Sequence, residues 1–161
     1  MNANGQVTSP APASRAERDL EILARVARTT LAGAGLDDQL RLTLSLAGES
    51  LGASRSSILL AAPATGELSV RCSSGLADAP PEGVEPGASP EEWVAEHNEP
   101  FIRHSTLCLP LAADGKVLGV LSLTRPQARG PFNVWELRLA SVLADLAALA
   151  IERASAVRAD R

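Results

Sequence analysis

The fold class of this chain is decided by residues 105–125, which read STLCLPLAADGKVLGVLSLTR. In this stretch Asp114 and Gly115 lie between two runs of β-prone residues. An Asp-Gly pair in that setting predicts a two-residue hairpin turn, because both residues tolerate the positive φ angles of a type I′ turn. Both runs are apolar at nearly every position, so each strand should be covered on both faces. We therefore expect a sheet with a layer packed against each side.

Two amphipathic helices are expected before the first strand. Apolar residues recur with helical periodicity from Arg18 to Ala32, and charged residues share the opposite face. A second helix is expected to begin at Asp37 or Asp38, whose side chains can cap free backbone amides, and to end before Gly52. Both helices should pack against the sheet.

The middle of the chain combines short strands, one long loop and one short helix. Residues 57–61 and 67–73 are typical of strands. Residues 74–88 are rich in Gly and Pro, which indicates either a lid over a binding site or a flexible loop. Residues 89–92 (Ser-Pro-Glu-Glu) form a capping box that opens a short helix, and residues 101–103 extend towards the hairpin.

The last helix has an apolar surface wider than one sheet contact requires. It begins at residues 133–136 (Asn-Val-Trp-Glu), and its apolar arc spans roughly 240° where ~100° would cover a sheet. The excess predicts a homodimer interface, because exposed apolar area costs about 25 cal/mol per Å². The alternative is that both terminal helices fill a large core within one copy. The expected interface residues are Leu20, Leu23, Ala27, Leu139, Leu143, Leu146 and Ala150.

Length and composition indicate a single domain. The chain has 161 residues, which is enough for one ordinary hydrophobic core. Residues 1–15 are rich in Asn, Ser, Pro and Ala and contain no apolar segment, so they match neither a secretory signal nor a membrane span. We expect a flexible tail at 1–15, the domain at 16–153 and a polar helical extension at 154–161.

The charge of the chain argues against some classes of partner, and its cysteine content indicates the compartment. The net charge of −4 and the sequence pI near 5.2 argue against a surface for nucleic acid, which requires a basic patch. No segment reads as a membrane anchor, so no membrane partner is expected. Two cysteines without a Cys-x-x-Cys motif favour a cytoplasmic protein with reduced thiols.

The order of these elements resembles a GAF domain over residues 20–153. Two helices, a strand pair, a loop with a short helix, the hairpin and a long C-terminal helix follow one another in the sequence of that family. The residues that carry the resemblance are 51–60 (LGASRSSILL), Gly75-Leu76, Leu109-Pro110-Leu111, Asp114-Gly115, 118–121 (LGVL), Phe132 and the Leu/Ala-rich last helix.

The resemblance implies an α+β fold with a two-sided arrangement. A central antiparallel sheet of five or six strands would carry the terminal helices on one face, where they form a dimeric bundle. The other face would hold a small-molecule pocket covered by a loop and a short helix. Members of the family mostly sense ligands or pair subunits in signalling proteins, and they are seldom enzymes.

The function that we expect is therefore a non-catalytic regulatory or sensor module in signal transduction. It would be homodimeric and would bind a small ligand or a signalling protein. One alternative is an interaction scaffold whose pocket is filled by its own side chains. Another is a thiol enzyme similar to the free-methionine-(R)-sulfoxide reductases, which resemble a small GAF domain and use cysteines around the pocket.

Five residues are candidates for the ligand-binding site. Arg71 and Arg103 lie near the long loop and could hold an anionic ligand with two hydrogen bonds, although exposed arginine is also common surface charge. Trp93 is expected either to close the pocket or to pack its short helix onto the sheet. His97 and Cys108 complete the set.

No cofactor, metal or catalytic residue is expected. The Asn-Lys-Phe-Asp-Glu signature of cyclic-nucleotide-binding members is missing, and an aromatic content of 2% does not suit haem or a bilin. The spacing of His97, Glu99, His104 and Cys108 matches no established metal site. Cys72 and Cys108 are expected on strands that are not neighbours and in opposite phases, so a disulfide is disfavoured and Cys108 should act as a small core residue.

Overall fold

The computed structural model describes residues 11–75 and 89–159, which form an α+β fold. The tail at 1–10 and most of the Gly/Pro-rich loop, at 76–88, lie outside the described residues. The elements are α1 (Ala11–Leu31), α2 (Leu36–Leu51), β1 (Arg55–Ala61), β2 (Leu68–Gly75), α3 (Pro90–His97), β3 (Phe101–Arg103), β4 (Thr106–Ala113), β5 (Lys116–Thr124), a 3₁₀ turn (Gln127–Arg129) and α4 (Val134–Ala159).

The sheet has five antiparallel strands in the order β2-β1-β5-β4-β3. The β4–β5 hairpin turns at Asp114 and Gly115, whose φ angles of 53° and 76° confirm the expected turn. Its strands are buried from Thr106 to Leu109 and from Gly119 to Leu123. The prediction that both strands are covered on both faces is therefore confirmed.

One face of the sheet carries α1, α2 and α4, and the main core lies between these helices and the strands. Helix α4 packs against β4, β5, α1 and α2, so it is surrounded on three sides. Most of its wide apolar arc is consequently buried within one copy. We call this side of the protein the helix layer.

The opposite face of the sheet is covered by α3, which packs on β3, β4 and β5. Val94 of α3, Cys108 of β4 and Val120 of β5 are fully buried there, and Phe101 of β3 packs against them. We call this side the α3 face.

Two helix starts were predicted from capping motifs, and both are confirmed. The Ser89 hydroxyl accepts a hydrogen bond from the Glu92 backbone amide at 3.0 Å, with Pro90 in the first helical position of α3. At α4 the Asn133 side chain accepts from the Glu136 amide at 2.8 Å, and the Glu136 carboxylate accepts from the Asn133 amide at 2.9 Å. One capping bond at α3 and two reciprocal bonds at α4 fix the points at which these helices begin.

The starts of the first two helices differ from the prediction. Helix α1 already begins at Ala11, so residues 11–15 are helical although they were expected in the tail. Helix α2 begins at Leu36 after Gly35, and no side chain caps it. The Asp37 carboxylate is instead engaged by Arg71. No helix among the described residues is long and apolar enough to cross a membrane.

Candidate functional site

A row of three serines and a cysteine, ending at Phe101, crosses the α3 face of the sheet. Strand register pairs Ser73 of β2 with Ser57 of β1, Ser57 with Ser122 of β5, Ser122 with Cys108 of β4, and Cys108 with Phe101 of β3. Directly paired residues of antiparallel strands share one face. We call these five residues the hydroxyl row.

A second row runs parallel to the first, two residues away along each strand. Arg55 of β1 pairs with Thr124 of β5, Thr124 with Thr106 of β4, and Thr106 with Arg103 of β3. Because side chains alternate along a strand, this row lies on the α3 face as well. We call these four residues the arginine row.

A directed chain of hydrogen bonds links the hydroxyl row to helix α3. The Ser122 hydroxyl lies 2.9 Å from Glu91 Oε1 and 3.4 Å from Cys108 Sγ. A hydroxyl carries one hydrogen, and a carboxylate oxygen can only accept, so Ser122 donates to Glu91 and accepts from the Cys108 thiol. Glu91 is therefore the final acceptor of these hydrogen bonds, and it links α3 to the centre of the sheet.

The buried thiol of this chain is held in its protonated form. Burial raises the pKa of Cys108 to about 12; the Ser122 hydroxyl opposes the rise and the negative charge of Glu91 adds to it. A thiol with that pKa is not a nucleophile near neutral pH. Cys108 thus serves as a hydrogen-bond donor and a packing residue.

The second thiol is separated from the first by the sheet itself. Cys72 packs against the main core of the helix layer, whereas Cys108 lies in the cluster under α3. Strands β1 and β5 also stand between β2 and β4. Partial burial raises the pKa of Cys72, although the charge of Arg41 opposes the rise. The two cysteines thus lie on strands that are not neighbours and on opposite faces of the sheet, as the sequence predicted.

An aromatic group forms the outer flank of α3. The Trp93 ring stacks on the His97 ring with centroids 4.4 Å apart, and it meets the edge of Phe101 at 6.2 Å. His97 Nδ1 lies 2.9 Å from the Trp93 carbonyl oxygen, within donating distance. Trp93 keeps 38% of its surface exposed, so it both packs α3 onto β3 and borders the α3 face.

The structure brings four of the five candidate ligand residues to the α3 face. Trp93 and His97 belong to α3, and Cys108 lies beneath it. Arg103 forms one end of the arginine row. Arg71 is the exception, because its Nε donates to Asp37 of α2 at 2.7 Å on the helix layer. A β-bulge in the β1–β2 ladder places Arg71 between the paired residues Val70 and Cys72, and this irregularity disrupts the alternation that the sequence implied.

Three residues of this site were missed by the sequence analysis. Arg55 begins β1, and only the strand register places it in line with Arg103. Ser122 is the polar residue within an apolar strand, a pattern that could have marked it as a buried hydrogen-bonding group. Glu91 was assigned to a capping motif, although its carboxylate reaches across to β5. Among the described residues no group of three His, Cys, Asp or Glu side chains could hold a metal ion.

Two helices of the helix layer, α1 and α4, each expose large apolar side chains. Leu20 and Leu31 of α1 are 67% and 79% exposed, and Trp135, Val142 and Leu149 of α4 are 60%, 41% and 43% exposed. The three α4 residues recur every seven positions, which places them on one side of the helix. We call these five residues the apolar seam.

Most of the interface residues that the sequence suggested are buried or half-buried within a single copy. Leu139, Leu143 and Ala150 are buried in the core of a single copy and have little or no surface to offer a second one. Leu23 and Leu146 are half-buried and pack against the same core. Ala27 is half-buried as well. Of the seven residues, Leu20 alone is largely exposed.

Comparison with known proteins identifies the fold. The model of the GAF domain family matches residues 35–151. A search of curated proteins found no match. The GAF domain of a phosphoenolpyruvate-protein phosphotransferase from Coxiella burnetii superposes with a TM-score of 0.73 at 22% identity, over 89% of this chain and 98% of that one.

Two further solved structures come from proteins with different roles. The GAF domain of the potassium sensor histidine kinase KdpD from Escherichia coli has a TM-score of 0.64 at 20% identity, over 86% of this chain and 96% of that one. Free methionine-R-sulfoxide reductase from Neisseria meningitidis, solved with its substrate, has a TM-score of 0.66 at 17% identity, over 94% and 96%. At these identities the similarity shows a shared fold and nothing beyond it.

Proposed function

The chain belongs to the GAF domain family, and on that premise we propose that it is a non-catalytic regulatory module that works as a homodimer and binds a small ligand on its α3 face. Similar GAF domains occur in a sensor histidine kinase and in a phosphotransferase, which supports a role in signalling. The protonated state of Cys108 and the separation of the two thiols speak against thiol catalysis.

The apolar seam is the observation that carries this proposal. Large apolar side chains left exposed to water on one side of α4 and on α1 mark an interaction site. A second copy is the natural occupant, because a two-fold contact places the same surface against itself and needs no other partner. Leu20 and Leu31 of one copy would then lie against the α4 residues of the other.

Native mass spectrometry of the purified protein tests both halves of the proposal. We expect a dimer, and excess mass on the wild-type protein would identify a retained ligand. Val142→Asp combined with Leu149→Asp should give a monomer, because each would place a carboxylate in the apolar contact. Val70→Asp is the matched control, since Val70 is 62% exposed on β2 and lies outside the seam.

Two results would contradict the dimer. Either a monomeric wild-type protein or a double variant that remains dimeric would show that the seam is not the interface. A dimer at bare mass would favour the interaction scaffold, and a ligand screen on the α3 face would then decide whether that face binds a small molecule.

A further inference from the structure

Opposite charges adjoin the two rows on the α3 face. Ser122, in the middle of the hydroxyl row, donates to the Glu91 carboxylate, and the arginine row has an arginine at each end, Arg55 and Arg103. Neighbouring strands lie about 4.8 Å apart, so the two arginines start about 14 Å from each other, and Arg55 is the one beside Ser57. The two rows are about 7 Å apart along each strand, a spacing across which a small molecule could contact both Glu91 and Arg55.

Glu91 provides the negative end of this arrangement. It belongs to the first turn of α3, where the helix dipole favours a carboxylate over a carboxylic acid. One of its oxygens accepts the Ser122 hydrogen, and none of the ion pairs between described residues includes it. A half-buried carboxylate without a cation within ion-pair distance attracts a cationic hydrogen-bond donor, because charge attraction is stronger where water is partly excluded.

The hydroxyl row offers a further contact beside Glu91. Ser57 lies next to Ser122 on the neighbouring strand and is half-buried. Its hydroxyl makes no hydrogen bond with any residue in the described ranges. An ammonium group has three N–H donors. Glu91 and Ser57 could satisfy two of them.

The arginine row provides the positive end. Two threonines, Thr106 and Thr124, lie between Arg55 and Arg103 in the strand register. A guanidinium group has five N–H donors, so each arginine can bind a carboxylate alongside its other interactions. Threonine hydroxyls can donate to the same carboxylate.

We propose that the α3 face binds a small zwitterion with the charge pattern of a free α-amino acid. Its ammonium group is held by Glu91 and Ser57, and its carboxylate by Arg55 and Thr124, the members of the arginine row that lie beside Ser57 and Ser122. This inference rests on the proposed function, because it names the ligand class of the proposed binding face.

A matched set of three probes tests the charge pattern. L-norvaline carries both charged groups, n-butylamine is norvaline without its carboxylate, and pentanoate is norvaline without its amine. Each probe is titrated into ¹⁵N-labelled full-length protein while the amide signals of Ser57, Glu91 and Ser122 are followed by NMR. We expect norvaline to shift these signals and each single-charge probe to bind about 10- to 100-fold more weakly, since each loses a charged hydrogen bond.

Four substitutions locate the site. Glu91→Gln and Arg55→Gln should each weaken norvaline binding about tenfold or more. Glu96→Gln removes the same charge from an exposed position of α3, and Arg71→Gln removes a guanidinium from the helix layer. Both controls should leave norvaline binding unchanged. The amide spectrum of each variant also reports whether the protein is folded.

The outcomes separate this inference from the proposed function. If pentanoate or butylamine shifts the signals as strongly as norvaline, the zwitterion assignment is overturned while the α3 face remains a ligand site. Equal norvaline binding by wild type and Glu91→Gln overturns it too. If none of the probes shifts the three signals, the zwitterion assignment fails, and the dimer is still judged separately by native mass spectrometry.

Discussion

Arg125 Nη1 lies 2.6 Å from Glu136 Oε2, and the two side chains are only 3% and 15% exposed. This ion pair joins the end of β5 to the first turn of α4. Arg125 also donates from Nε to the Gly130 carbonyl oxygen at 3.0 Å and from Nη1 to the Leu51 carbonyl oxygen at 3.3 Å. A single guanidinium group therefore connects the sheet, the end of α2 and the start of α4.

The same arginine organises the connection that leads into α4. Its Nη2 donates to the Pro131 carbonyl oxygen, and its guanidinium carbon lies 4.1 Å from the centre of the Phe132 ring. The other oxygen of Glu136 caps α4 through the Asn133 amide. Since α4 carries most of the apolar seam and β5 lies under the α3 face, this joint is the rigid link between the two proposed functional surfaces.

Replacing Arg125 with methionine should strongly destabilise the protein. Methionine preserves much of the side-chain volume but leaves Glu136 as a partly buried charge without its partner. Removing one partner of a buried ion pair costs about 3–5 kcal/mol of unfolding free energy. Urea denaturation monitored by circular dichroism measures this loss.

The exposed ion pair between Arg28 and Glu21 supplies the control for that experiment. Their side chains are 64% and 71% exposed at a separation of 3.2 Å. Arg28→Met should therefore change the unfolding free energy by no more than about 1 kcal/mol. Similar losses in both variants would show that Arg125 does not act through its buried interactions.

Glu136 should make stability depend on pH in the acid range. Burial raises the pKa of Glu136, but the hydrogen bonds from Arg125 and the Asn133 amide, with the charges of Arg125 and Arg129, outweigh it and lower the pKa overall. A lowered folded-state pKa contributes stability above the unfolded value of about 4.3, and this contribution is lost as pH falls through the folded-state pKa.

The measurement is the unfolding free energy as a function of pH, from neutral to below about 4. Glu136→Gln should lose stability at neutral pH and should show a flatter decline in acid than wild type. Glu96→Gln on the exposed side of α3 should keep the wild-type slope. An unchanged slope in Glu136→Gln would contradict the assigned role of this carboxylate.

Sequence patterns predicted the parts of the fold that depend on neighbouring residues. The hairpin at Asp114-Gly115 and the caps at Ser89 and Asn133 are local interactions within four residues, so their residue types identify them. The central antiparallel sheet of five or six strands was implied by the family resemblance, and the sheet has five. The start of α2 was missed because Asp37 is used by Arg71, a residue distant in the chain.

The residues of the two proposed functional surfaces could not be identified from the sequence pattern. Periodicity predicted that α4 is apolar around most of its circumference, but it could not tell which apolar residues face the core. Packing by α1, α2 and the sheet buries Leu143 and leaves Val142 exposed. Likewise, Arg55, Ser122 and Glu91 are brought together only by strand register and by the docking of α3.

The two thiols should differ in their reactivity towards iodoacetamide. Cys108 is fully buried and its pKa is raised to about 12, so it should react only when the protein unfolds. Cys72 is half-buried and should react first in the native protein. Mass spectrometry of peptides after timed labelling, with and without urea, measures both rates. Equal labelling of the two thiols under native conditions would contradict the buried hydrogen-bonded state of Cys108.

The protein should not reduce free methionine-(R)-sulfoxide, although its fold is similar to that of an enzyme that does. A thiol reductase requires a thiolate that attacks the sulfoxide and a way of resolving the oxidised sulfur. Cys108 is protonated, and Cys72 lies on the other face of the sheet. Incubation with the sulfoxide and dithiothreitol should therefore yield no more methionine than buffer does, while the Neisseria meningitidis reductase serves as the positive control. Turnover by wild type that is lost in Cys108→Ser would instead establish a catalytic thiol and refute the non-catalytic assignment.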